Sequence, residues 1–130
     1  MTAVLLDTSV WRRFFAGKGA SRIKPTLSAL LDGDEQILMH VAVLGELVLG
    51  GLSAREETLL RRLSVAPQVA DADVMLFIKH HKLMRCGIGW VDAHLLASAL
   101  VAHARLWSVD GQLSKAAASL EIDFASNLLS

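Results

Sequence analysis

A three-layer α/β/α sandwich around a central, mostly parallel sheet of about four or five strands is the fold class this chain predicts. Three observations carry the prediction. Short apolar runs alternate with longer helical patterns along the chain, the order that lays helices over a parallel sheet. Hydrophobic residues make up 53% of the 130 positions but aromatics only 5%, so the core must be built from Leu, Val, Ala and Ile, as in strands buried on both faces. No internal repeat or low-complexity linker intervenes. The length suits a single domain over residues 1–130, able to bury about two thirds of the surface its unfolded form exposes.

Each element has a local reason. Residues 3–6 (AVLL) read as a short buried strand, and DTSVWRRFF after it offers Asp7, Thr8 or Ser9 as a helix cap. Pro25 opens a helix over TLSALL that ends at Asp32-Gly33, and QILMH (36–40) reads as a second strand. VAVLGELVLGGL gives a short apolar helix stopped by Gly50 and Gly51. A charged helix follows from Ser53 to Leu63, and Pro67 breaks the chain. From Asp71 to Arg85, Val74, Ile78 and Leu83 recur at helical spacing, with Asp71 or Asp73 as cap and Gly87 and Gly89 as terminators. Trp90 to Ala104 is an apolar helix, RLWSV (105–109) a strand, GQLSKAAASL a helix and IDFA (122–125) a final short strand.

Composition excludes several classes. Net charge is zero, so any phosphate-binding surface is local. Two basic concentrations exist: Arg12, Arg13, Lys18, Arg22 and Lys24 near the amino end, and KHHKLMR from Lys79 to Arg85. Runs of this size are ordinarily solvated helix faces. Cys86 is the only cysteine, so no intrachain disulfide forms. AVLL is too short for a secretory leader, and the longest apolar stretches carry Glu46 or Asp92 in mid-segment, which is costly inside a bilayer. The expectation is a soluble, cytoplasmic protein.

Four acids stand alone in stretches otherwise free of negative charge: Asp7 in TAVLLDTSVW, Glu46 in VAVLGELVLG, Asp92 in GIGWVDAHLLASAL and Asp110 in LWSVDGQLSKAA. The others cluster in polar, turn-like company. A carboxylate placed in an apolar element loses hydration worth several kcal/mol unless something compensates it. In an open parallel sheet, ligand sites form beyond the carboxyl ends of the strands. Asp7 directly follows the first strand and Asp110 follows RLWSV, while Glu46 and Asp92 lie in helices that can face the same cleft. Two carboxylates about 4 Å apart repel by roughly 4 kcal/mol at an effective dielectric of 20. Such a group must take up protons or hold a cation, and an all-oxygen set suits Mg²⁺ or Mn²⁺. Ordinary explanations stand beside this one. Asp7 and Asp110 can be helix caps, Asp92 a first-turn acid favoured by the helix dipole, and Glu46 an acid on an exposed face.

With DTSVW, LGEL, WVDAHLLASAL and LWSVD in this order and spacing, the chain resembles the PIN-domain ribonucleases, and among them the VapC toxins of toxin-antitoxin modules. The resemblance spans essentially the whole chain. It implies that Asp7, Glu46, Asp92 and Asp110 form the catalytic metal site, with Thr8, Ser9 and Ser108 as supporting hydroxyls. The cofactor implied is Mg²⁺, with Mn²⁺ able to substitute, and the activity is endoribonucleolytic hydrolysis of RNA phosphodiesters by metal-activated water. Many relatives carry another acid just after the fourth, where Gln112 and Leu113 stand here, so the number of ions stays open. Arg12, Arg13, Lys79, Lys82 and Arg85 become candidate RNA phosphate contacts. The implied partners are a VapB-type antitoxin and a second copy in a homodimer, within a larger complex with antitoxin. His40, His80, His81, His94 and His103 have no spacing suggesting a histidine-based ribonuclease and are read as surface or packing residues.

Two alternatives remain at this level. A receiver-like Mg²⁺-binding phosphoacceptor shares the length and the parallel sheet, but it wants paired acids after the first strand, where Asp7 is alone. A non-catalytic PIN-like binding protein would keep the fold without the activity.

Overall fold

The computed structural model describes residues 2–17 and 23–124. Lys18 and Arg22 of the first basic concentration, and Ala125 at the end of IDFA, lie outside them. Strand β1 (Ala3–Leu6) leads into α1 (Thr8–Ala16) and α2 (Ile23–Asp32), and β2 (Gln36–Met39) into α3 (Val41–Leu49) and α4 (Ala54–Leu60). Strand β3 (Ser64–Val65), α5 (Asp71–His80), α6 (Trp90–Val101), β4 (Ala104–Trp107) and α7 (Gly111–Ser119) complete the order. The strands form one parallel four-stranded sheet in the order β3-β2-β1-β4. Ala3 stands opposite both Gln36 and Ala104, and Leu6 opposite Trp107.

This is the predicted α/β/α class, and the reason is visible in the strands. Val4, Leu5, Leu6, Ile37, Leu38, Met39, Leu106 and Trp107 are all buried, so both faces of the central strands are covered and the strand sequences are apolar runs interrupted only by the exposed Gln36 and Arg105. Helix α6 packs on β4 and β1, burying Leu95, Leu96 and Ala99, while α2 packs on β2 and α7 on β4. Helix α5 lies on α6 through Val74, Ala93 and Ala97. Among the described residues no helix is long and apolar enough to cross a membrane.

The strand order also decides where a site can form. From β1 the chain moves outward through β2 to β3, then returns to place β4 on the other side of β1. The crevice outside the carboxyl ends of β1 and β4 is therefore the topological switch point. A receiver-type sheet runs 2-1-3-4-5, so this order removes the phosphoacceptor alternative.

Several boundaries differ from the sequence expectation. The helix expected over Ser53–Leu63 stops at Leu60, and Ser64–Val65 becomes an edge strand beside β2; Ala66 N–H then donates to Met39 O at 3.0 Å. Two residues with no apolar alternation leave no strand signature. The helix expected to reach Arg85 ends at His80, because Lys82 and Arg85 adopt left-handed φ of 56° and 63°. Neither Asp71 nor Asp73 caps α5: Ala70 occupies the cap without a side-chain bond, and Asp71 instead pairs with His94 at 3.1 Å. Helix α6 ends at Val101, where His103 turns left-handed, so Ala104 opens β4; RLWSV is a strand only as far as Trp107. IDFA is reduced to a bridge beside β4: Leu106 N–H donates to Ile122 O and Phe124 N–H to Leu106 O. His40, expected to close the second strand, is instead the cap of α3.

Helix α4 supplies a test of local signals. Ser53 Oγ accepts Glu56 N–H at 3.1 Å while Glu56 Oε1 accepts Ser53 N–H at 3.0 Å, a complete capping box. Ser53→Ala is expected to lower stability by about 1 kcal/mol in urea unfolding; no change would show that tertiary packing alone holds α4.

Candidate active site

Asp7 sits where β1 ends and is 5% exposed. Its Oδ1 accepts the Val10 N–H at 3.3 Å, which caps α1, and the Ser9 hydroxyl at 2.6 Å. Its Oδ2 accepts the Ser108 hydroxyl at 2.8 Å, and its backbone N–H donates to Trp107 O at 3.1 Å. The carboxyl ends of β1 and β4 are thus tied twice. Ser9 Oγ accepts Val109 N–H, and Ser108 Oγ accepts Asp110 N–H at 2.9 Å, which extends the network to the fourth acid. Asp110 caps α7 through Oδ1, which accepts the Gln112 and Leu113 N–H groups. Unlike Asp7 it is exposed, so its isolation in the sequence does not signal burial.

Glu46 and Asp92 are half-buried. The Thr8 hydroxyl donates to Glu46 Oε1 at 2.7 Å, so a residue of α1 orients an acid of α3. His40 seats that helix: it is 3% exposed, and its Nδ1 accepts the Ala42 N–H at 3.0 Å. Burial, aided by nearby His94, pushes the His40 imidazole pKa down, and the neutral form is the one able to accept this bond. His40, expected as a surface or packing residue, is thus a cap, and its position directly after β2, matching Asp7 after β1, is the signal for one. Asp92 Oδ2 accepts the Gly89 N–H at 3.1 Å, and Gly89 carries no side chain to return the bond.

The acids act on one another electrostatically. Burial pushes the Asp7 carboxyl up; Ser9, Ser108 and the Val10 N–H pull it back, and Asp92 raises it further. Burial also raises Asp92, the Gly89 N–H opposes this, and Asp110 and Glu46 add to the rise. Asp92 therefore feels the charges of Glu46 and Asp110, and Asp7 feels that of Asp92. Among the described residues no three His, Cys, Asp or Glu side chains are close enough to hold one ion as they stand. The donor set nonetheless fits a hard cation. Among the described hydrogen bonds, Asp92, Glu46 and Asp110 are each held through one oxygen and leave the other unused, and Asp7 Oδ2 accepts a single bond.

The candidate cations divide. Arg12 lines a different groove, with Phe15, Leu47 and Glu56, and Arg13 is exposed on the last turn of α1. Lys79 is exposed at the end of α5, whereas Lys82 and Arg85 line a groove beside α7 that also receives Lys115, a cation the sequence reading passed over.

Fold and site define an open parallel α/β protein with Asp7 and Asp110 at its topological switch point and Glu46 held beside them by Thr8. The family model of the PIN domain matches residues 4–119. The chain is 35% identical over 125 residues to Ribonuclease VapC32 of Mycobacterium tuberculosis, covering 94% of this chain and 96% of that protein. It therefore belongs to the PIN-domain family and is a VapC homologue. The structure resembles VapBC-1 from nontypeable Haemophilus influenzae, with a TM-score of 0.68 at 17% identity over 94% of this chain and 96% of that one. It also resembles PAE2754 from Pyrobaculum aerophilum, with a TM-score of 0.59 at 15% identity over 98% and 93%. At these identities the likeness is one of fold.

Proposed function

We propose that this protein is a Mg²⁺-dependent endoribonuclease, the toxin of a VapBC-type module, with Asp7, Glu46, Asp92 and Asp110 as its catalytic and metal-holding acids. The observation that carries the reading is Asp7: a carboxylate at the switch point, hydrogen-bonded to Ser9 and Ser108 and pushed up by burial, with Asp92 adding to the rise. The homology to a named ribonuclease supports the substrate class. When bound, the cation supplies a Lewis acid that activates water and neutralises charge on the phosphate.

The chain's own residues do the positioning. Ser9 and Ser108 fix the Asp7 carboxylate from both sides, Thr8 turns Glu46 toward α1, and the Gly89 N–H holds Asp92 by one oxygen. Held in this way, the acids lose little side-chain freedom when a cation or substrate arrives. No protein nucleophile is required, so hydrolysis leaves no covalent enzyme intermediate. The same reading assigns the chain a VapB-type antitoxin as partner, a homodimer as its working form with a larger antitoxin complex, and the cytoplasm as its compartment. Solved relatives in VapBC complexes support the antitoxin.

Purified protein incubated with single-stranded RNA is expected to cleave it in Mg²⁺ or Mn²⁺ and to leave it intact in EDTA. Cation binding to the folded state alone should also raise the melting temperature, by about 2.7 kcal/mol of added stability at a hundredfold excess over Kd. RNA left intact in both cations would favour the non-catalytic PIN-like alternative.

A further inference from the structure

A groove of about 550 Å³ lies between the turn that follows α5 and the exposed side of α7, lined by His81, Lys82, Arg85, Cys86, Gln112 and Lys115 among others. Its charge contrasts with the whole: the chain is neutral overall, yet this lining includes three full cations and no carboxylate. Among the described residues none of Lys82, Arg85 and Lys115 forms an ion pair. Unpaired like charges gathered in one concavity repel each other and focus a positive potential into it.

The backbone is committed to this arrangement. Lys82 and Arg85 hold left-handed φ of 56° and 63°, a conformation L-residues seldom adopt. The turn that imposes it is locked: Leu83 is buried, its N–H donates to Ile78 O at 2.9 Å, and Cys86 Sγ donates to Leu83 O at 2.9 Å. Both cations are therefore presented from a rigid turn. The groove also borders on residues that hold two of the acids. Gly87 lies two residues before Gly89, which holds Asp92, and the Gln112 N–H is held by Asp110. The Gln112 side chain lies over Gly87, where a Cβ would come within 3.2 Å of it. From Gln112 to Ser119 the α7 wall runs about 10 Å away from the acids at 1.5 Å per residue.

We infer that this groove binds the RNA backbone on one flank of the acid cluster, with Lys82, Arg85 and Lys115 as its phosphate contacts. The inference rests on the ribonuclease reading and adds a path for the strand. A polyanion is the ligand this lining fits, and a groove bordered by Gly87 and Gln112, whose neighbours Gly89 and Asp110 belong to the acid site, leads a strand toward the position where a scissile phosphodiester must sit.

The test is binding of fluorescein-labelled single-stranded RNA to the full chain in EDTA, read by anisotropy across a salt series. Each phosphate contact on a single strand contributes about 0.7 to the slope of log K against log salt. The triple variant Lys82→Gln, Arg85→Gln, Lys115→Gln is expected to lose about 2 from that slope, while Arg55→Gln on α4 leaves it unchanged and Lys115→Arg retains it. In Mg²⁺ the triple variant should raise KM for long RNA and leave kcat near wild type. An unchanged slope and KM in a wild type that does cleave RNA would overturn the groove assignment and leave the ribonuclease reading standing. Loss of antitoxin binding with RNA binding intact would overturn it in favour of a peptide site. A wild type that neither binds nor cleaves RNA would remove both.

Discussion

Asp7→Asn is expected to lower Mg²⁺-dependent RNA cleavage by at least about 100-fold, since metal-assisted charge stabilisation is worth several kcal/mol. The same substitution should make the metal-free protein more stable at neutral pH. Burial raises the Asp7 pKa above the unfolded value of 3.8, so the folded state binds this proton more tightly than the unfolded chain does. The group's favourable contribution is full below pH 3.8 and is lost as pH rises through the folded value. Above that range the wild type bears the cost of ionising a buried carboxyl, which Asn does not. Asn keeps an oxygen to accept from Ser9 and Val10, and the Ser108 hydroxyl can reverse to accept from its amide. Melting curves should show the variant above wild type at pH 7 and the gap closing below pH 4, and cleavage at the wild-type rate would end the assignment of Asp7 to the site.

Trp107→Ala is expected to be the most destabilising single change near the site. Trp107 is 1% exposed at the carboxyl end of β4, packs on Phe124 with ring centroids 5.1 Å apart, and stands opposite Leu6. Truncating a buried Trp to Ala costs 3–5 kcal/mol, against typical stabilities of about 5–15 kcal/mol. For a domain of this size the melting temperature should fall on the order of 10–20 °C. The effect extends beyond packing, because Trp107 O receives the Asp7 N–H and Ser108 is the next residue. Cleavage should therefore fall even at temperatures where the variant is folded. Trp90, 45% exposed at the start of α6, is the comparison: Trp90→Ala should cost far less, and equal losses at both positions would refute the argument from burial.

The core strands and the place of Asp7 at a strand end were legible in the sequence for related reasons. AVLL, ILM after Gln36 and LW after Arg105 are consecutive apolar residues, as a sheet covered on both faces requires, and all three lie in strands of the observed sheet. An acid directly after such a run must lie at a strand's carboxyl end, which located Asp7. Ser9 and Ser108 were legible only through resemblance, because their bonds to Asp7 join segments distant in the chain; the Ser108 bond spans 101 positions. Lys115 was illegible in a different way. On α7 it reads as one solvated lysine, and only the folding of the α5–α6 turn against that helix gives it company. The end of α5 was misread because Lys82 and Arg85 are not glycines, so nothing in their identity announces a left-handed backbone.

What the sequence determined by itself was the layered parallel architecture and the identity of four unusual acids, because apolar periodicity and the cost of placing charge in apolar surroundings are local properties of a chain. What the tertiary structure decided was how those properties combine. The order β3-β2-β1-β4 put the ends of β1 and β4 side by side, and with them Asp7, Ser108 and Asp110. It also distinguished the buried Asp7 from the exposed Asp110, which look alike in sequence. Strand order, edge pairing at β3 and the groove beside α7 arise from contacts between segments far apart, whose energies depend on neighbours that no local window contains.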